Sequence, residues 1–336
     1  MAATADKDCW VGFDLGGTKM LAVVFDGRFK PLGRQRKKTK GYEGAESGLR
    51  RIVSTIEEAL EKADVDVKRL AGIGVGCPGP VDMDRGIVLG TPNLSWHDVP
   101  VKKALQEKFG CQVAVVNDVD AGVYAEYRFG VARSKHCAVG VFPGTGIGGG
   151  CVYQGKIFRG KNCSCMEIGH IPVVPNGRLC GCGQHGCLEA EASRLSIAAA
   201  AAKAAYRGEA PHLLELAGTD LADIKSGVLA ESIKRGDKTV ERIVRHAAGT
   251  IGTAVAAVVN LLLPDIVILG GGLVEAMPDL FVNGVRESAN ARVMPAFVDS
   301  FQVAAAELAD DASVTGAAAW AEHIVGSNED TGKGNA

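Results

Sequence analysis

Hydrophobic and polar positions along the chain follow two spacings, one typical of buried strands and the other of amphipathic helices. Short β-branched and apolar runs predict strands at 10–13, 20–25, 70–75, 113–116, 138–142, 151–153 and 265–269. Apolar residues at helical spacing predict helices around 49–60, 101–109, 121–127, 196–205 and 243–263. Because strands and helices alternate, the pattern predicts an α/β fold.

A hairpin with a glycine-rich tip occurs twice. Strands 10–13 and 20–25 flank one glycine turn, and strands 138–142 and 151–153 flank another, which suggests a duplicated module. We expect two α/β domains around a cleft. Their predicted bounds are 1–117 plus about 305–325 for the small domain, 118–304 for the large domain with a cysteine-rich loop at 163–189, and 326–336 for a flexible tail.

Composition and charge exclude two kinds of partner. Lys and Arg total 37 against 39 Asp and Glu, a formal net charge of -2, so no positive field attracts nucleic acid. We expect no membrane partner either, because the most apolar run, 254–263, is too short to cross a bilayer. Glycine is the compositional anomaly: 44 of 336 residues, about 13% against a usual 7% or so.

The N-terminal residues predict a cytoplasmic protein, since 1–8 contain no hydrophobic segment of a secretion signal. Thiols stay reduced in that compartment. The ten cysteines therefore suggest metal ligands or buried thiols before disulfides.

The first glycine turn is a candidate phosphate site. Successive N–H groups of Gly16, Gly17, Thr18 and Lys19 can converge on an anion, while Asp14 can hold a hydrated metal ion. A tight turn that needs positive φ is the alternative, and by itself it explains most such hairpins.

Two further glycine turns strengthen the nucleotide interpretation. The turn that starts Gly144-Thr145-Gly146 holds five glycines in residues 144–150, more than a turn requires. Gly270, Gly271 and Gly272 follow a predicted strand, where α/β proteins open a ligand crevice. Neither the lysine-containing phosphate loop nor the dinucleotide fingerprint fits these turns. The duplicated hairpins resemble instead the fold of sugar kinases, actin and heat-shock ATPases.

Asn117 and Asp118 stand at the end of the predicted strand 113–116. A carboxylate placed there can accept the proton of a hydroxyl that attacks a γ-phosphoryl group. The alternative is a helix N-cap, for which Asn and Asp are both favoured. The two phosphate turns on either side in the sequence favour Asp118 as the base.

A cysteine cluster predicts a metal site. Three thiols lie within eight residues: Cys180, Cys182 and Cys187. With His170 they form a Cys3His set that suits structural Zn²⁺. Buried free thiols are one alternative, and His185 as the fourth ligand is another. Cys163 and Cys165 exceed the ligand count and are predicted to be free thiols.

Two motifs in this region resemble the signature of the ROK family. They are Glu167-Ile168-Gly169-His170 and, over residues 180–189, Cys-x-Cys-Gly-x-x-Gly-Cys-x-Glu. The similarity extends from Asp14 to Gly316. The family contains bacterial glucokinases, other hexose and N-acetylhexosamine kinases, and sugar-responsive repressors.

The resemblance implies roles for individual residues. Asp118 would be the catalytic base, and His170 would face both zinc and sugar. The implied sugar-binding residues are Gly79, Asn93, Asn117, Asp118, Glu167, His170 and Glu189. The implied ATP-binding residues are Asp14, Gly16, Gly17, Thr18, Lys19, Gly144, Thr145, Gly146, Gly270, Gly271 and Gly272. Met166 and Asp120 depart from the usual pattern near the sugar, which leaves the hexose preference open.

The activity that the resemblance implies is an ATP-dependent hexose kinase, with glucose as the expected acceptor. Mg²⁺ would bind with ATP, and the protein would be a homodimer. Kinases for fructose, mannose, allose, N-acetylglucosamine or N-acetylmannosamine are alternatives, and polyphosphate is an alternative donor. A sugar-sensing regulator without catalysis is the alternative from another class. Because Asp14 lies near the start of the chain, we expect no DNA-reading segment ahead of it.

Overall fold

Strands and helices alternate along the folded chain, as the hydrophobic pattern predicts. A computed structural model describes residues 7–332 except 92, 93, 162 and 164, with side chains to residue 326. The strands are β1 Cys9–Leu15, β2 Lys19–Phe25, β3 Pro31–Lys38, β4 Leu70–Cys77, β5 Val81–Asp82, β6 Ile87–Thr91, β7 Trp96–Val99, β8 Gln112–Asn117, β9 Cys137–Pro143, β10 Ile147–Tyr153, β11 Lys156–Ile157, β12 Ile266–Leu269 and β13 Gln302–Ala305. The α-helices are α1 Gly44–Ala63, α2 Val101–Phe109, α3 Asp118–Arg128, α4 Leu188–Ala192, α5 Arg194–Tyr206, α6 Pro211–Ala217, α7 Ser226–Arg235, α8 Lys238–Leu262, α9 Gly272–Ala276, α10 Pro278–Asn290 and α11 Ala312–Gly332.

The chain divides into two compact units. Unit 1 comprises Met1–Arg133, Gly155–Cys165 and Asp310–Ala336, and unit 2 comprises Ser134–Gln154 and Met166–Ala309. The sequence prediction placed 118–133 and 155–165 in the large domain, whereas both segments belong to unit 1. Cys163 in the second segment forms a β-bridge with Asp82.

Unit 1 is built on a five-stranded sheet in the order β3-β2-β1-β4-β8. β1 pairs antiparallel with β2 and parallel with β4, and β4 pairs parallel with β8. Helix α11 packs so closely on β4 that a Cβ at Gly74 would lie 1.7 Å from Ala317 O. Close helix–sheet packing therefore accounts for part of the glycine excess.

Unit 2 repeats this arrangement. β9 pairs antiparallel with β10 and parallel with β12, and β12 pairs parallel with β13. The two hairpins β1–β2 and β9–β10 hold equivalent places in their sheets, which confirms the predicted repeat of the module. The core forms between the sheet and helices such as α8, whose buried face includes Val244, Ile251 and Val255.

Several elements differ from those predicted. β3, the small antiparallel sheet β5-β6-β7, and helices α7, α10 and α11 were not predicted. Helix α11 extends to Gly332 and so covers the first part of the predicted tail 326–336. An existing helix lengthens without a new nucleation cost, which allows it to continue into polar sequence. Within the described residues, every helix is too short or too polar to span a bilayer.

Candidate functional site

In unit 1, Asp14 lies near the carboxyl end of β1, opposite Gly76 of β4. The hydroxyl of Ser313 in α11 donates a hydrogen bond to Asp14 Oδ1 over 2.8 Å. Burial raises the pKa of the Asp14 carboxyl, and the Ser313 hydrogen bond acts in the opposite direction. Sequence reasoning missed Ser313.

The first glycine turn connects β1 and β2, and Thr39 donates hydrogen bonds to two of its carbonyl groups. Buried Thr39 donates its N–H to Thr18 O over 2.9 Å and its hydroxyl to Gly16 O over 2.6 Å. Gly17, Thr18 and Lys19 are exposed on the other side. The turn is fixed by its carbonyl groups, and its exposed side can take a ligand.

Asn117 and Asp118 mark the passage from β8 into α3. Asn117 is the N-cap of the helix, because its Oδ1 accepts hydrogen bonds from the N–H groups of Val119 at 2.8 Å and Asp120 at 3.2 Å. Asp118 is the first helical residue, and its half-buried side chain also accepts the Val119 N–H at 2.9 Å. The N-cap alternative thus applies to Asn117, and Asp118 is a half-buried carboxylate in the first turn of α3.

Two other parts of unit 1 meet this edge of the sheet. Asn117 Nδ2 donates to Gly79 O over 3.2 Å, so Gly79 lies beside the cap. A Cβ at Gly76 would lie 2.8 Å from Ser313 Oγ and 3.5 Å from Asp118 Cα, so this glycine separates the two groups. The predicted residue Asn93 lies outside the described residues.

In unit 2, the turn that joins β9 and β10 lies against the turn that follows β12. A Cβ at Gly271 would be 3.0 Å from Pro143 O and 3.9 Å from Gly144 N. Gly271 has a φ of +84° and precedes α9 as its N-cap, with Gly272 as the first helical residue. The structure therefore brings together two of the three predicted glycine turns.

Glu189 connects α4 to the same turn. Its Oε2 accepts the N–H of Ile147 over 2.9 Å. A Cβ at Gly146 would lie 2.2 Å from this oxygen, so a side chain there would displace the carboxylate. Its Oε1 lies 3.7 Å from Cys180 Sγ, so one carboxylate spans the glycine turn and the cysteine cluster.

Glu167 precedes a single 3-10 turn, Ile168–His170, and His170 is its last residue. Ile168 is buried in the core of unit 2, and a Cβ at Gly169 would lie 2.1 Å from Ile147 O. Packing of these two residues on β10 leaves the side chains of Glu167 and His170 exposed. The Glu-x-Gly-His motif thus has a structural reason for its middle positions.

Four side chains form a cluster suited to a metal ion: His170, Cys180, Cys182 and Cys187. Their ligand atoms all lie within 4.8 Å of one another. Cys180 Sγ is 3.7 Å from His170 Nδ1, and Cys182 Sγ is 3.7 Å from Cys187 Sγ. Tetrahedral Zn²⁺ with bonds of about 2.3 Å to sulfur and 2.0 Å to nitrogen places ligand atoms about 3.5–3.8 Å apart. The residues present fit such an ion.

The alternative ligand His185 is engaged elsewhere. Its Nδ1 lies 3.0 Å from Gly177 O, and the cluster among the described residues does not include it. Cys163 and Cys165 belong to unit 1, where Cys165 Sγ contacts Phe158 O at 3.6 Å. All ten cysteines lie within the described residues, and none forms a disulfide.

Comparisons with known proteins extend these observations. The chain is 34% identical over 318 residues to a glucokinase of Thermotoga maritima, covering 94% of this chain and 98% of that protein. It is 28% identical over 306 residues to a xylose repressor of Caldicellulosiruptor bescii, covering 91% of this chain and 76% of the repressor.

A solved structure has the same fold over nearly its whole length. It is a ROK family glucokinase from Streptomyces griseus in complex with glucose and AMPPNP. The TM-score is 0.81 at 32% identity, and the match covers 94% of this chain and 99% of that one. The chain accordingly has the actin-like ATPase fold that the duplicated hairpins predict. The sequence model of the ROK family matches residues 10–324, and the chain belongs to the ROK family.

Proposed function

We propose that the protein is an ATP-dependent glucokinase that converts ATP and D-glucose to ADP and glucose 6-phosphate. The observation that carries the proposal is the position of Asp118, a half-buried carboxylate on the first turn of α3, beside an Asn117 that already caps the helix. Support comes from the glucokinase relative and from the glucose and AMPPNP in the similar solved structure.

In the proposed reaction Asp118 accepts the proton of the glucose 6-hydroxyl as that oxygen attacks the γ-phosphorus in line. The new bond joins this oxygen to phosphorus, and the bond from the γ-phosphorus to the leaving oxygen of ADP breaks. Mg²⁺ bound with ATP would supply neutralising charge to the phosphates. The turns at residues 16–19, 144–146 and 270–272 would donate main-chain N–H groups to the nucleotide, and Asp14 would face the hydrated cation.

The proposed sugar-binding residues are Gly79, Asn93, Asn117, Asp118, Glu167, His170 and Glu189. Zn²⁺ held by His170 and the three cysteines would be structural, since four protein ligands leave no open position. Its ligands would fix the His170 ring, and the 3-10 turn would then present Glu167 beside it. These assignments rest on the family resemblance and on the fit of the cluster.

The test is a coupled assay of the purified protein with ATP or polyphosphate and six sugars: glucose, fructose, mannose, allose, N-acetylglucosamine and N-acetylmannosamine. We expect the highest kcat/KM with ATP and glucose. A higher kcat/KM for another sugar would keep the kinase class and replace the substrate. Negligible phosphorylation of all six, with sugar binding retained, would favour the sugar-sensing regulator that the repressor relative represents.

Two further proposals concern the state of the protein in the cell. A reaction that consumes ATP and a site that needs reduced thiols both suit the cytoplasm. We also expect a homodimer from the family resemblance. Light scattering coupled to size-exclusion chromatography should then give about twice the 34.9 kDa chain mass.

A further inference from the structure

Arg194 contacts the second glycine turn twice. It is the first residue of α5, and its main-chain N–H donates to Gly144 O over 2.9 Å. Its guanidinium Nη2 donates to Thr145 Oγ1 over 2.9 Å. The turn is therefore attached to the start of α5 through both the backbone and the side chain of one arginine.

The charge of Arg194 has no carboxylate partner in the described part of the chain. Some arginines of unit 2 are paired, such as Arg178 with Glu191 and Arg245 with Glu241, whereas others, such as Arg242, form no ion pair among the described residues either. A guanidinium carries five N–H donors, and within the described residues Arg194 uses one of them, on Thr145. A partly exposed cation with unused donors beside main-chain amides is an arrangement that suits an anion.

Space for an anion is present next to the turn. A Cβ at Gly144 would meet no atom closer than Gly146 O at 3.9 Å, and the φ of Gly144 lies outside the left-handed region. Neither packing nor backbone conformation among the described residues therefore requires glycine at 144. The position is therefore open to a ligand that approaches the main chain closely.

The hydrogen bond from Arg194 also sets the direction of the Thr145 hydroxyl. A hydroxyl that accepts from a guanidinium directs its own hydrogen elsewhere, and the charged donor polarises it. Thr145 is thereby prepared to donate to a second acceptor, such as a phosphate oxygen.

We propose that Arg194 is an anion-binding and positioning residue of the phosphate turn, which orients the Thr145 hydroxyl and adds positive charge for the outer phosphates of a nucleoside triphosphate. This inference rests on the proposed function. It goes further by assigning to Arg194 a preference for the triphosphate over nucleotides with fewer phosphates.

The test is calorimetric binding of Mg·AMPPNP, Mg·ADP and AMP to wild type and to Arg194→Gln, in the presence of glucose. We expect the variant to bind AMPPNP about tenfold more weakly, the loss of one charge-assisted hydrogen bond, with a smaller loss for ADP and none for AMP. Arg194→Lys should recover part of the affinity because it keeps the charge. Arg245→Gln, which removes an exposed and paired arginine of α8, is the matched control and should bind all three nucleotides like wild type.

A double-mutant cycle with Thr145→Val separates positioning from charge alone. If Arg194 acts through Thr145, the double variant loses less AMPPNP binding free energy than the sum of the losses in the two single variants.

Unchanged AMPPNP affinity in Arg194→Gln would overturn the proposal. Equal losses of affinity for AMPPNP and AMP, together with a lower Tm, would overturn it too. Absence of AMPPNP binding by wild type would overturn it as well. Because binding is measured without turnover, a wild type that binds AMPPNP but phosphorylates no sugar would refute the kinase while leaving the assignment of Arg194 in place.

Discussion

Ser313 donates its hydroxyl hydrogen to the Asp14 carboxylate over 2.8 Å and so joins two ends of the chain that are 299 residues apart. This contact fixes the orientation of a carboxylate whose burial raises its pKa. The position of the C-terminal helix therefore affects the edge of the sheet where the proposed chemistry takes place.

Ser313→Ala should weaken both stability and nucleotide binding. The variant leaves a buried carboxylate oxygen without its hydroxyl partner, at a cost of about 1–3 kcal/mol. We expect a lower free energy of unfolding in urea and a higher KM for Mg·ATP, with KM for glucose unchanged. In an Asp14→Asn background the same substitution should cost less, because the group it faces is neutral. An equal cost in both backgrounds would contradict an interaction with the carboxylate.

Asp118→Asn should abolish most phosphorylation without loss of the fold. The amide has the shape of the carboxylate but cannot take the proton, so kcat should fall about 10²–10⁴-fold. Calorimetry should show that glucose binding persists. Asp279→Asn, at an exposed position on α10, serves as the control and should have wild-type kcat. Wild-type kcat in Asp118→Asn would show that another group is the base.

Gly144→Ala should leave the stability unchanged and weaken ATP binding. The added methyl group meets open space within the protein, so the free energy of unfolding should change by less than about 0.5 kcal/mol. If phosphate approaches the main chain here, KM for ATP should rise about tenfold or more. Gly149→Ala provides the contrast: its Cβ would lie 2.2 Å from Met166 O, and we expect a loss of about 1–3 kcal/mol in stability. Unchanged ATP kinetics in Gly144→Ala would remove this turn from the nucleotide site.

Purified protein should contain one zinc ion per chain by elemental analysis. Cys187→Ser should lose the metal, because a closed tetrahedral site needs all four ligands. The thermal unfolding temperature should fall by several degrees, and glucose affinity should fall with it. Cys163→Ser, at a half-buried cysteine of unit 1, should keep both metal and stability. Full zinc content in Cys187→Ser would show that the cluster is not the site.

His323 should make unit 1 less stable in mild acid. Its ring stacks on Trp320 with centroids 4.9 Å apart, and burial lowers its pKa below the usual 6.5, with the positive charges of Lys156 and Arg128 acting in the same direction and Glu322 opposing them. A histidine with a lowered folded-state pKa stabilises the fold above pH 6.5, and that contribution is lost as the pH falls through the folded-state value.

The corresponding measurement compares Tm at pH 8 and pH 5. Between pH 8 and pH 5 the Tm of His323→Gln should fall less than the Tm of wild type, because the variant has no buried imidazole that must be protonated. His97→Gln, at an exposed position of β7, should keep the wild-type difference. An identical difference in all three proteins would exclude His323 as a source of acid sensitivity.

The sequence predicts the parts of the site that are local in the chain. Strand 113–116 followed by Asn117 and Asp118 is recovered as β8 and the start of α3, because a buried apolar run that meets a capping residue has few other structures available. The cysteine cluster is predicted in the same way, from the close spacing of its three cysteines in the sequence. A site whose residues lie in one short segment can therefore be predicted from the sequence of that segment.

Long-range contacts could not be predicted, because periodicity carries no information about which distant side chains meet. Thr39 donates a hydrogen bond to Gly16 O in the first glycine turn, 23 residues away in the sequence. Arg194 donates one to Thr145, which is 49 residues away. The strands β5, β6 and β7 are two to five residues long, too short to establish an alternating pattern. These contacts and strands result from tertiary packing.

The contact between Gly146 and Glu189 restricts how this protein can evolve or be redesigned. A side chain at 146 would require the Glu189 carboxylate, which also binds the Ile147 amide, to move. A substitution at position 189 therefore removes a support of the turn that joins β9 and β10. Libraries that vary one of these positions should vary the other as well, because the space at 146 depends on the side chain at 189.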